Sequence, residues 1–245
     1  MRSMSFARRN VLELLRDPIN LGFGLGFPLL LILLLSAIQA NIPVSLFEIG
    51  HLTPGIAVFG LSFVTLFSAT LIAKDRGTSL MMRLFASPLT AGEFITSYTL
   101  PMLPLCLGQS IVCFLAAMCL GLKFTGNILM VLVTLLPAAV FFISLGLLFG
   151  SILNDKQVGG ICGALLTNLS AWLSGTWFDI ELVGGAFKKV AYALPFVHAV
   201  NAGRAALSGD FAAIFPDLWW VIGYAVVMSV VAVIVFGRKM RSGNV

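Results

Sequence analysis

The distribution of charge along the chain limits its fold more than any other feature. Six windows, residues 18–47, 49–73, 94–122, 124–154, 157–178 and 218–237, contain no Asp, Glu, Lys or Arg. Each is long enough to cross the hydrocarbon core of a bilayer as a helix, which takes about 20 apolar residues. A transmembrane strand would alternate apolar with polar over about 10 residues, and these runs are solidly apolar. Backbone groups in hydrocarbon find no water, so they must pair inside each segment, as they do in helices. Of the 245 residues, 59% are hydrophobic and 10% charged, against about 25% charged in a soluble domain. A water-soluble fold of this size has no core large enough to hide that much apolar surface. The expectation is an all-α polytopic membrane protein, one domain over 1–245, with six spans near 21–40, 54–73, 98–121, 128–153, 159–178 and 217–236.

The charges between the windows set the orientation. Arg2, Arg8, Arg9 and Arg16 precede the first span, Lys74, Arg76 and Arg83 follow the second, Lys156 follows the fourth, and Arg238, Lys239 and Arg241 follow the sixth. With six crossings these fall on one side, and Lys123, Lys188, Lys189 and Arg204 fall on the other. Basic residues collect on the cytoplasmic face, so both termini are expected in the cytoplasm and the chain in the cell (inner) membrane. The net charge of +5 then reads as topology. It does not read as nucleic-acid binding, because no basic cluster interleaves with aromatics in a soluble domain. Cys106, Cys113, Cys119 and Cys162 lie inside spans without metal-ligand spacing and read as small core residues. The first apolar run is longer than a signal-peptide core and five more follow it, so no cleaved signal peptide is expected.

Three segments outside the spans carry pattern. Residues 5–17 place Ala7, Val11, Leu14 and Leu15 on one helical face and Arg8, Arg9, Glu13 and Arg16 largely on the other. That is a basic amphipathic helix of the kind that lies in the headgroup plane; a plain extension of the first span is the other reading, and Pro18 would break it. Residues 179–216 are moderately polar, with two apolar stretches too short to cross, split at Pro195. They read as a helical hairpin dipping into the membrane from the outer face. On it, His198, Asn201, Arg204 and Ser208 form a polar stripe. This stripe either lines the outer mouth of a path, with Arg204 attracting an anionic group, or simply faces water and headgroups. Trp172, Trp177 and Phe178, with Trp219 and Trp220, sit where an aromatic belt is expected. Gly146 and Gly150 fit the small-residue pattern of close helix packing.

The third segment is the inner loop 73–94. Asp75 and Thr78 offer capping oxygens, Gly77 permits a sharp turn, and Pro88 ends a short helix. Leu80, Met81, Leu84 and Phe85 form an apolar ridge, with Ser79, Arg83, Ala86 and Ser87 opposite. Such a ridge either docks in a groove on a partner or rests on the membrane surface. The sequence has no G-x-x-x-x-G-K-[ST] phosphate loop, no Ser-His-Asp arrangement, and no carboxylate deep in a span of the kind that marks proton or ion coupling.

The stretch Asp75-Arg76-Gly77-Thr78, followed by Leu84 and Pro88, resembles the acidic-basic-x-Gly-Thr…Leu…Pro pattern of permease subunits of the ABC-2 transporter family, with the glycine here directly after the arginine. The N-terminal amphipathic helix, the six spans, and Ala193-Leu194-Pro195-Phe196 running on to Arg204 and Gly209 are similar to the same family. The resemblance implies that the inner segment is the coupling helix that seats on a nucleotide-binding subunit. Its docking residues would be Asp75, Arg76, Gly77, Thr78, Leu80, Met81, Arg83, Leu84, Phe85 and Pro88. Pro195, His198, Asn201 and Arg204 would belong to the outer hairpin. It also implies a cytoplasmic ABC ATPase partner carrying ATP and Mg, with no cofactor and no ATPase site on this chain, and pairing with itself or a similar permease within membrane lipid. Small outer loops and an apolar interior favour a small amphiphilic cargo (drug, lipid or peptide), moved outward. The alternatives are an ATP-independent secondary transporter or channel, and a membrane anchor or assembly subunit.

Overall fold

The computed structural model describes residues 2–42, 47–78 and 90–242. Among these, all regular structure is helical. Helix α1 (Arg2–Leu15) is followed by α2 (Gly22–Gln39), α3 (Ile49–Arg76), α4 (Ala91–Cys119) and α5 (Asn127–Ile152). Next comes α6, a continuous run over 155–173 whose middle, Gly159–Leu166, is π-helical. The short α7 (Ile180–Val183), then α8 (Gly185–Ala193) and α9 (Pro195–Ser208), lead to the long α10 (Phe211–Ser242). Five helices are long and apolar enough to cross a membrane: α2, α3, α4, α5, and α10 over Phe211–Lys239. The chain is a polytopic helical membrane protein. The window expected to give a crossing near 159–178 is α6, which is not among those five.

Two boundaries differ from expectation for identifiable reasons. Helix α4 starts at Ala91 and not near 98, because Thr90 and Glu93 form a reciprocal capping box that satisfies two N-terminal amides. Pro101 and Pro104 therefore lie inside the helix, not at its start. Helix α10 starts at Phe211 and not near 217, taking Pro216 into its second turn. Proline near a helix start removes few internal hydrogen bonds. The hairpin consequently closes at Gly209, whose φ of +83° is the left-handed cap that ends α9.

The helices alternate in direction. At one end of the bundle α1 packs on the start of α4 and reaches Asp75 near the end of α3, and the ends of α5 and α10 gather at the same end. There Phe6 packs on Phe94 and Tyr98 (centroids 5.5 and 5.2 Å), and Phe94 stacks on Phe236 at 4.1 Å. This α1 end carries Arg8, Arg9, Arg16, Lys74, Arg76, Lys156, Arg238 and Lys239. The opposite, hairpin end gathers the starts of α3, α5 and α10 around α9.

Helix α3 is the core of the bundle: 78% of its apolar window is buried, against 22% for α2 and 17% for α10. Its closest neighbour is α5, and glycines set that distance. A Cβ on Gly146 would stand 2.4 Å from the Thr65 carbonyl oxygen, and one on Gly150 would stand 2.5 Å from that of Ala69. Only hydrogen fits, which brings the two backbones together. In that contact Thr65 Oγ1 donates to the Phe142 carbonyl at 2.9 Å.

Candidate functional site

The sequence motif 75–78 sits at the α1 end, in the last turn of α3 and the residues just after it. Its charged groups grip neighbouring helix ends. Asp75 is 3% exposed. Its carboxylate accepts two hydrogen bonds from the Arg9 guanidinium, at 2.5 and 2.7 Å, and one from the Tyr98 hydroxyl at 2.5 Å. One carboxylate thus joins α1, α3 and α4. Arg76 reaches across to α5, where Nη1 donates to the Gly150 and Leu153 carbonyls at 3.0 and 3.1 Å. These are C-terminal carbonyls left without intrahelical partners, and a cation there also meets the negative end of the helix dipole. Gly77 caps α3, and Thr78 Oγ1 donates back to the Asp75 carbonyl at 2.8 Å. The hydrogen bond to Asp75 holds the Arg9 guanidinium above its ordinary pKa against the opposing effect of burial.

Helix α1 is amphipathic, and the face it buries shares Ala7 and Leu14 with the expected one but is rotated away from Val11 and Leu15. Phe6, Ala7, Asn10 and Leu14 are buried, while Val11 and Leu15 are exposed, Leu15 at 61%. The buried face includes Asn10, whose amide donates to the Ser97 carbonyl at 3.1 Å. Arg9, expected on the solvated face, turns inward to Asp75. The pairing could have been suspected from Tyr98, a polar-tipped residue in an otherwise apolar window, since a buried tyrosine hydroxyl usually has a partner. Leu80, Met81, Arg83, Leu84, Phe85 and Pro88 lie outside the described residues.

At the hairpin end, α9 is largely buried between α10, α5 and α3. Its C-terminal end meets the start of α5, where Asn127 Nδ2 donates to the Leu207 carbonyl at 3.1 Å. Its N-terminal end reaches far along the bundle: Phe196 stacks on Phe142 at 5.9 Å, beside the Thr65 contact. The break between α8 and α9 falls at Leu194, with Pro195 at the first position of α9, where its missing N–H costs nothing. Carbonyls freed by the break are met by side chains. The Tyr224 hydroxyl donates to Ala193 O at 2.5 Å, and His198 Nε2 lies 2.9 Å from Tyr192 O.

The expected polar stripe divides. His198 is 6% exposed and faces α10, with Nδ1 at 2.5 Å from Asp217 Oδ1 and its ring stacked on Trp220 at 5.3 Å and 5°. Burial lowers the His198 pKa, but the hydrogen bond to Asp217, the Tyr192 carbonyl and the Asp217 charge outweigh it and leave the value raised. Arg204 faces the other way. Its Nε donates to the His51 carbonyl at 3.1 Å and its Nη2 to that of Gly175 at 2.9 Å. Burial lowers its pKa to about 10, the Asp179 charge opposing, so it remains a cation at neutral pH. Arg204, His51, Glu48 and Asp210 line a cavity of about 640 Å³ at this end. Asn201 is half-buried on the same helix.

An all-helical chain with five helices long and apolar enough to cross a membrane defines a polytopic membrane protein. The sequence matches the ABC-2 type transporter family over residues 3–208, and the chain belongs to that family. It is a permease component of an ABC transporter. Neither a curated protein nor a solved structure matches it significantly.

Proposed function

We propose that this chain is the export permease of an ATP-driven transporter, moving a small amphiphile (drug, lipid or peptide) with energy from ATP hydrolysed on a separate cytoplasmic subunit. The chain pairs with itself or with a similar permease, and two ATPase subunits dock on the cytoplasmic side. Both termini lie on the cytoplasmic side of the inner membrane, α6 is the fifth of six crossings, and α8–α9 form a re-entrant hairpin on the outer side. Basic residues concentrated at the α1 end support that orientation.

The observation that carries the reading is the grip of Asp75 and Arg76 on α1, α4 and α5, immediately before residues 79–89. An ATPase docked on Leu80, Met81, Arg83, Leu84 and Phe85 would pull on a point already fastened to four helices. Motion at the motif then biases the whole bundle between states, as an energy source must if it is to drive a change. ATP and Mg belong to the partner, whose phosphate loop this sequence lacks.

The test is affinity purification from native membranes with mass spectrometry of what accompanies the chain. A stoichiometric ATPase, lost with Leu84→Asp or Phe85→Asp while the permease stays in the membrane, is the expected result. Full association and transport in those variants would remove the docking role. A second reading, proton-coupled transport without an ATPase, is favoured by the His198–Asp217 pair. It would replace the first if the chain purifies alone and transports on a proton gradient.

A further inference from the structure

The hydrogen bonds of His198 can be counted. The Tyr192 carbonyl has lone pairs only, so Nε2 must be the donor at 2.9 Å. The other ring nitrogen, Nδ1, meets Asp217 Oδ1 at 2.5 Å. A neutral imidazole protonated on Nε2 presents a lone pair at Nδ1, and an ionised carboxylate also presents lone pairs. Two acceptors at that distance repel. The contact therefore exists only with one proton more than a neutral histidine and an ionised aspartate possess.

We propose that His198 and Asp217 form a proton-binding site that latches the hairpin onto the last helix. With the proton bound, imidazolium and carboxylate tie α9 to α10, while Nε2–H holds the carbonyl of Tyr192 at the α8–α9 break. When the proton leaves to water, the neutral ring keeps a single N–H and can serve only one of its two acceptors, so either the tie to Asp217 on α10 or the tie to the Tyr192 carbonyl at the α8–α9 break is lost. Asp217 lies in the second turn of α10 with 23% of its side chain exposed, and it is there that the proton must pass to water.

Among the described residues Asp217 is the charged group that acts on His198; helix α3, also packed on α9, brings His51, whose carbonyl Arg204 holds, and α8 brings the exposed Lys189. Helix α8 brings Tyr192, whose hydroxyl, like Lys188, is engaged by Glu181. Helix α10 brings Asp217 and, a turn or two on, Trp220 and Tyr224, the latter bonded to Ala193. Arg204, on α9 itself, turns to His51 and Gly175. The first segment of α5, Asn127–Thr134, and the last of α6, Thr167–Leu173, carry no titratable side chain.

The sign follows from the proton count. A histidine whose pKa rises in the latched state stabilises that state fully below its free value of about 6.5 and loses the contribution as pH climbs through the raised value. The latch is thus held at acid pH and opens as the pH climbs past the raised value.

The chain has 2 histidines, so His51→Gln leaves His198 as the sole imidazole for nitrogen-15 NMR of the full protein in lipid nanodiscs. Both ring nitrogens should be protonated in most molecules at about pH 6.5, with a midpoint above that value. A neutral ring at pH 6.5 and above, with a midpoint at or below that value, overturns the proton site. Asp217→Asn provides the second arm, because a carboxamide N–H can donate to Nδ1 of the neutral ring without any added proton. Amide hydrogen exchange over 193–198 is compared between wild type and Asp217→Asn at each pH, so that intrinsic rates cancel. The two should match at pH 6, and wild type should exchange about tenfold faster by pH 9. A constant ratio across that range overturns the latch even if the proton is found. Neither readout needs an ATPase or a substrate, so either outcome is independent of the transport reading.

Discussion

Arg9 and Asp75, 66 positions apart in sequence, meet as a two-point pair, Nη1 to Oδ2 at 2.5 Å and Nη2 to Oδ1 at 2.7 Å. The fork of a guanidinium matches a carboxylate in this way and an ammonium does not. The carboxylate is buried and the guanidinium about one-third exposed, 4% and 34% by side chain. The N-terminal helix is therefore fixed to the bundle by a directed contact as well as by its apolar face.

Breaking that contact from one side leaves a charge without its partner. Asp75→Asn and Arg9→Gln are each expected to cost about 2 kcal/mol, the Arg9 exposure keeping the figure below that of a fully buried pair. For a chain of this size that is a fall in Tm of roughly 4–8 °C. Tyr98→Phe, which removes a single donor, should cost about 1 kcal/mol. Thermal unfolding in nanodiscs measures all three, and an unchanged Tm in Asp75→Asn would show that the pair carries no stability.

Helix α3 approaches α5 only where α5 lacks side chains. Gly150→Ala would place a methyl 2.5 Å from the Ala69 carbonyl, whereas nothing stands within 4 Å of a Cβ on Gly160. Gly150→Ala is expected to abolish a monodisperse elution peak. Gly160→Ala should be neutral or add up to about 1 kcal/mol, since alanine is the better helix former. Size-exclusion profiles of the two variants should separate cleanly, and equal behaviour would contradict the packing.

Arg76 ties the end of α3 to the last carbonyls of α5. Under the proposed coupling, Arg76→Ala retains the ATPase, because the docking ridge is untouched, but transmits motion poorly. Transport should fall about tenfold, the equivalent of one lost charged hydrogen bond of about 1.4 kcal/mol. Pull-down and vesicle transport assays on one preparation distinguish this from Leu84→Asp, which loses both.

Arg204 holds the His51 and Gly175 carbonyls while remaining charged. With its pKa lowered to about 10, it does not titrate between pH 5 and 9, so its contribution to stability is flat there. Between that value and its higher unfolded one the unfolded state binds more protons, and only there does stability rise with pH on its account. Arg204→Lys keeps the charge but not the planar fork, and should cost about 1 kcal/mol. A pH-dependent difference between the two proteins over pH 5–9 would refute this.

The sequence determined by itself that the chain is helical and lives in a membrane. Long charge-free runs have few other solutions, and the spans expected near 21–40 and 128–153 came out within one residue at each end, at Gly22–Gln39 and Asn127–Ile152. It also supplied the family, through Asp75-Arg76-Gly77-Thr78 and the Leu194-Pro195 hairpin. The start of α4 was missed, because the Thr90–Glu93 capping box carries the helix back to Ala91, ahead of the span expected near 98. What the sequence did not carry was the partner of each polar group. Hydropathy and helical period depend on neighbours three and four residues away, whereas Arg9–Asp75 and Arg76–Gly150 join positions far apart. They exist because glycines and small residues let particular helices touch. Likewise, the division of His198 from Arg204 onto opposite sides of α9 depends on which helix lies beside each face, and only the packed bundle fixes that.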